Sequence, residues 1–159
     1  MKKAVLIQQI VARLHENFSL LEKAARASHA EATHESSKAD NKYDTRGLEA
    51  SYLARGQSRQ AMDILEALRV YEALPTRDFG PGDPIALTAL VIMEVNGSRS
   101  TYFIGPTSGG LEIEWQGEEI MVITPQSPLG QTLMGKKEGQ QWRAKVGAST
   151  AKYHILSVL

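Results

Sequence analysis

Two periods divide the chain. Apolar or small residues return at alternating steps of four and three through Ile7, Val11, Leu14, Phe18, Leu21, Ala25, Ser28 and Ala32. That is the heptad spacing of a helix with one buried seam. A second run, Ser51, Ala54, Ser58, Ala61, Leu65 and Leu68, keeps the same rhythm. Between the two lies HESSKADNKYDTRG, residues 34–47, polar and without period. The pattern predicts an antiparallel helical hairpin, a coiled coil, over residues 1–74 with its tip near 35–47. Both seams shift from large apolar residues at the open end to Ala and Ser toward the tip. Small seam residues let helices approach closely, so a thin far end is expected.

The rhythm breaks at PTRDFGPGDP, residues 75–84, which holds three of the six prolines. This is read as a linker. Beyond it, six β-rich runs follow at 85–95, 99–105, 111–115, 119–124, 140–146 and 152–159, with turn signals between them. Asn96-Gly97 reads as a tight hairpin turn. One segment interrupts the strands, SPLGQTLMGKKEG at 127–139. Ser127 suits a helix N-cap, Pro128 the first helical position, and Gly135 the left-handed exit. The expected fold class is α+β: a helical hairpin, then a small antiparallel β domain over 85–159 carrying one short helix.

Charge and composition narrow the function. Lys+Arg and Asp+Glu each number 18, so bulk charge draws the protein to neither nucleic acid nor membrane. There is no cysteine, hence no disulfide and no thiolate metal site. The N-terminal apolar run stops at Gln8, too short for a signal peptide or a membrane span. A soluble cytoplasmic protein is expected. The histidines His29 and His34 lack the spacing and the carboxylate partner of a zinc site.

The segment SPLGQTLMGKKEG resembles an element of the bacterial Gre transcript cleavage factors, S-P-[IL]-[AG]-x-x-L-x-G-K-x-x-G. Ser127, Pro128, Leu129, Gly130, Leu133, Gly135, Lys136 and Gly139 all fit it. The order of parts is also similar: helical hairpin, proline-rich joint, small FKBP-like sheet domain. The resemblance implies a factor that works on bacterial RNA polymerase through the secondary channel. The sheet domain would dock at the channel rim, with Ser127, Pro128, Gly130 and Lys136 as contacts. The hairpin would reach the active site, where tip carboxylates help the polymerase's own Mg²⁺ cleave a backtracked transcript. Such a protein is not an enzyme alone, and the nascent RNA 3′ end is met only indirectly. No cofactor is expected in the free chain, and it is expected to be a monomer.

The candidate carboxylates are Asp44 and Glu49, which would share the Mg²⁺, with Asp40 third. A hard cation wants oxygen ligands and keeps several waters, so one or two carboxylates suffice to recruit it. The family pattern, roughly D-x-x-E-N-x-E-Y, is altered here to YDTRGLEASY. Asp44 and Glu49 stand five apart, about 500° of helical rotation, and would diverge if both were helical. A turn at Arg46-Gly47 would let them converge. Two other readings remain: a channel regulator that does not cleave, and an FKBP-like peptidyl-prolyl isomerase. The isomerase would need an aromatic-lined apolar pocket.

Overall fold

A computed structural model describes residues 3–33 and 46–159. It contains α1 (Lys3–Thr33), α2 (Arg46–Glu72), β1 (Leu90–Val95), β2 (Ser98–Ile104), β3 (Glu112–Trp115), β4 (Glu118–Ile123), α3 (Pro128–Leu133), β5 (Gln141–Val146) and β6 (Ser149–Val158). The α+β class and the single short helix among the strands are as expected. The chain divides into two compact units, Met1–Gln9 with Ala73–Leu159, and Ile10–Glu72.

In the first unit the strands form one sheet in the order β3-β4-β2-β1-β6-β5. The sheet is mixed rather than wholly antiparallel, because β2 and β4 run parallel, Thr101 to Ile104 against Ile120 to Ile123. The reason lies in the β3–β4 hairpin. Its turn residues Gln116 and Gly117 have φ of 55° and 78°, the left-handed pair of a tight two-residue turn. The chain therefore crosses to the edge as β3 and returns as β4 alongside β2. Asn96 (φ 49°) and Gly97 (φ 85°) make the equivalent turn between β1 and β2, as predicted.

Strand β1 is covered on both faces. Leu90, Val91, Ile92 and Met93 are buried in succession, the continuous apolar run of a central strand rather than an alternation. One core cluster joins Phe79, Ile85, Val91, Met93, Ile104, Ile123, Leu133 and Ile155. Leu133 brings α3 onto that core. Phe79 brings in the proline-rich segment, which is packed rather than free. The Lys3 ammonium lies 4.3 Å from the Phe79 ring centre and the Arg77 guanidinium 4.2 Å. Lys3 also donates to the Arg77 carbonyl. Burial pushes the Lys3 ammonium below its ordinary pKa; Asp78 opposes the shift and Arg77 adds to it.

In the second unit, α1 and α2 bury Ile10, Leu14, Ala61, Ala67, Leu68 and Tyr71. Burial raises the pKa of the Tyr71 hydroxyl well above the ordinary tyrosine value. Phe18, Leu21, Ile64 and Leu65 are only half-buried. Ala25 and Ser58, expected to close a thin seam, line an open groove of about 1030 Å³ with the buried Ala61 in its floor. Small side chains permit close approach but supply little contact to enforce it.

Candidate functional site

The segment around α3 is built from local rules that its sequence spells out. Ser127 caps the helix: its Oγ accepts the Gly130 N–H at 3.0 Å and donates to the Thr124 carbonyl at 2.8 Å. Pro128 follows at the first helical position, where no backbone donor is needed. Gly130 is required by space rather than by dihedral angle. A Cβ there would stand 1.8 Å from the Thr124 oxygen and 2.8 Å from Ser127 Oγ. The first turn of α3 is thus pressed against the end of the preceding loop.

The exit is fixed in the same way. Gly135 has φ 79°, and its N–H donates to the Ile85 carbonyl at 2.9 Å. The Ile85 N–H returns to the Lys136 carbonyl at 2.7 Å. This double bridge pins the KKEG turn to the start of the β domain. Gly139 (φ 83°) then donates to the Ile155 carbonyl at 2.9 Å, leading into β5. Glu138 is exposed and accepts the Val158 N–H at 3.3 Å.

Of the four expected docking residues, Ser127 and Gly130 shape the backbone, Pro128 starts the helix and is also exposed, and Lys136 extends onto a ring. Lys136 places its ammonium 4.8 Å from the centre of the Trp142 ring, within cation–π range. Trp142 stacks on Tyr153 at 5.1 Å with 6° between planes. These rings, with Tyr102, Pro128, Leu129, Thr132, Lys145 and Val146, line a groove of about 460 Å³ beside α3. Trp142 packs against the edge of the core cluster. It is half-buried on edge strand β5, and the signal available was the alternation of Gln141, Arg143 and Lys145 around it.

Asp40 and Asp44 lie outside the described residues. Glu49 is in α2, which starts at Arg46. Arg46 and Gly47 are thus helical rather than a turn. Among the described residues, no three His, Cys, Asp or Glu side chains gather as a metal-binding group. Among them, too, no helix is long and apolar enough to cross a membrane.

A match to a known family agrees with the motif. Residues 85–159 match the family described as transcription elongation factor, GreA/GreB, C-terminal. The crystal structure of GreA factor homolog 1 (Gfh1) from Thermus thermophilus is 18% identical, covers 94% of each chain and gives a TM-score of 0.37. Gfh1 from Thermus aquaticus is 20% identical over 95% of this chain and 92% of its own, with a TM-score of 0.38. A GreA/GreB elongation factor from Nitrosomonas europaea is 17% identical over 70% of this chain and 91% of its own, at 0.36. A search of curated proteins gave no match.

Proposed function

With residues 85–159 belonging to the GreA/GreB C-terminal family, we propose that the protein is a transcription factor that docks on RNA polymerase at the rim of the secondary channel. Its β domain makes the contact and its helical hairpin enters the channel. The observation that carries this reading is the α3 segment. Every glycine and the cap of the family element has a backbone reason, and the element still presents Pro128, Leu129 and Lys136 beside an aromatic groove. A fold that needed only a helix there would not need the projecting part.

In the fuller form of the proposal, the hairpin tip stimulates cleavage of backtracked RNA by the polymerase's own active site. Asp44 and Glu49, with Asp40, supply carboxylates toward the polymerase's Mg²⁺. That ion polarises the scissile phosphate and acidifies water. The chain's part is to hold negative charge at the tip. A second reading, occupancy of the channel without cleavage, is favoured by one observation: α2 is already helical at Arg46 and Gly47, which removes the turn that would have compensated the spacing of five. The isomerase reading gains the aromatic groove but no further support.

The deciding experiment is transcript cleavage in a stalled elongation complex with and without the protein. Stimulated cleavage that Asp44→Asn and Glu49→Gln abolish, with polymerase affinity unchanged, supports the cleavage role. Binding with no cleavage by the wild-type protein supports the channel regulator. Polymerase affinity unaffected by Pro128→Ala, in a variant with an unchanged circular dichroism spectrum, removes the docking role of α3. A proline-peptide isomerisation assay separates the remaining reading.

A further inference from the structure

Alternation divides the outer strands of the sheet between two faces. Trp142 on β5, with Tyr153 and Ile155 on β6, belongs to the face that carries α3 and the core cluster. The residues between them, Arg143 and Lys145 on β5 and Lys152 on β6, turn to the other face. The register sets Arg143 directly opposite Lys152, which brings their Cβ atoms to about 5 Å. Lys145 is two residues along β5 from Arg143, about 7 Å away on the same face. All three side chains are exposed. Among the described residues, no ion pair neutralises any of them. The carboxylate of this face on β1, Glu94, stands opposite His154 on one side and Arg99 on the other. Like charges directly opposite one another weaken a pair of strands. Charge on β5 alone has an ordinary use, because β5 ends the sheet and a cation there discourages pairing with another chain. That use does not account for Lys152, which is on the inner strand.

We propose that this face binds the phosphate backbone of duplex DNA through Arg143, Lys145 and Lys152, without reading its bases. An anion laid across the three cations removes their mutual repulsion. The occupant follows from what surrounds them. Gln141 and Thr150, their neighbours on this face, are exposed and polar. A protein partner would want apolar or aromatic anchors at the centre of its contact. A single strand would want rings on which to stack its bases, and Trp142 and Tyr153 are on the opposite face. Charge without an apolar centre is what backbone binding uses. The contact is separate from docking on polymerase and needs no polymerase to be observed.

The test follows the full chain with a labelled DNA duplex of about 20 base pairs, two helical turns. Fluorescence anisotropy at low salt should give saturable binding. Arg143→Gln with Lys145→Gln and Lys152→Gln should weaken it about tenfold or more, and should make the fall of log affinity with log salt shallower by about 2.7, the slope for three neutralised phosphates. A control removing three exposed cations elsewhere, Arg13→Gln with Lys23→Gln and Arg59→Gln, should keep most of the affinity. The β5–β6 variant should unfold at the same urea midpoint or a higher one, since only repulsion is lost. No binding of the duplex overturns the proposal. So does unchanged affinity or salt slope in the β5–β6 variant, or an equal loss in the control. A lower urea midpoint in that variant overturns it by showing that the three residues serve the fold. Tighter binding of oligothymidine overturns it in favour of a single strand, and tighter binding of a polyglutamate peptide in favour of an acidic protein.

Discussion

The two units use glycine and small residues to opposite ends. In the β domain, Gly130 sits where a methyl group would collide with the Thr124 carbonyl, and Gly135 closes a helix with its N–H on Ile85. Each small residue there is demanded by a contact. In the hairpin, Gly56 has nothing within 4 Å of where its Cβ would be, and Ala25 and Ser58 border open space. Smallness in one unit is the mark of tight packing, and in the other it accompanies surface left uncovered. The first unit is constrained by its own fold. The second keeps exposed apolar area that its own fold does not explain.

Substitution at the glycines is the sharpest way to break that comparison. Gly130→Ala should destabilise the β domain by about 3 kcal/mol or more, because backbone rather than a flexible side chain must move. A urea titration followed by Trp fluorescence measures it. A loss below about 1 kcal/mol would show that the α3 turn relaxes easily and that the contact is not a constraint. Ser127→Ala should cost about 1 kcal/mol, since the cap and the bond to Thr124 go together. The same titration should show a lower midpoint at an unchanged slope.

In the hairpin the sign reverses. Gly56→Ala should stabilise by roughly 0.5–1 kcal/mol, because the helix is regular there and alanine restricts only the unfolded chain. Helicity and thermal midpoint by circular dichroism should both rise. If they fall, Gly56 has a role in packing that places it with Gly130.

The alkaline limb of stability separates the units by pH, with the smallest effects near neutrality. In the hairpin, the pKa of Tyr71 is raised by burial above the ordinary 10.0. Above that pH the unfolded chain gives up the phenolic proton while the folded one keeps it, so stability falls as pH rises. Tyr71→Phe should flatten this fall. In the β unit, Lys3 has its pKa lowered by burial from the ordinary 10.5. Between the folded value and 10.5 the unfolded chain holds the extra proton, so this group's contribution to stability rises with pH in that window. Lys3→Met should remove the rise. Urea midpoints measured between neutral pH and about pH 11 test both signs.

How much of this was legible without the fold differs by region, for a physical reason. The α3 segment could be read almost residue by residue, because capping, proline entry and glycine exit are rules of a few neighbouring residues. The turns at Asn96-Gly97 and the heptad rhythm of α1 and α2 are equally local. The parallel pairing of β2 with β4 was not legible. It depends on which strand returns to the sheet's interior after β3, a long-range choice that alternation does not encode. The obligate nature of Gly130 was also hidden, since a glycine in a helix gives no sign of what presses on it.

The sequence by itself determined the elements, their order and the motif at 127–139, since each rests on local spacing and side-chain type. Tertiary structure alone decided that Phe79 leaves the proline-rich joint for the core and that Lys3 packs on its ring. It alone stacked Trp142 on Tyr153 along one groove, brought the Lys136 ammonium onto the Trp142 ring, and left Ala25 and Ser58 bordering another. These are contacts between residues far apart in the chain, and burial is a property of what the rest of the fold brings to a site, not of the residue that occupies it.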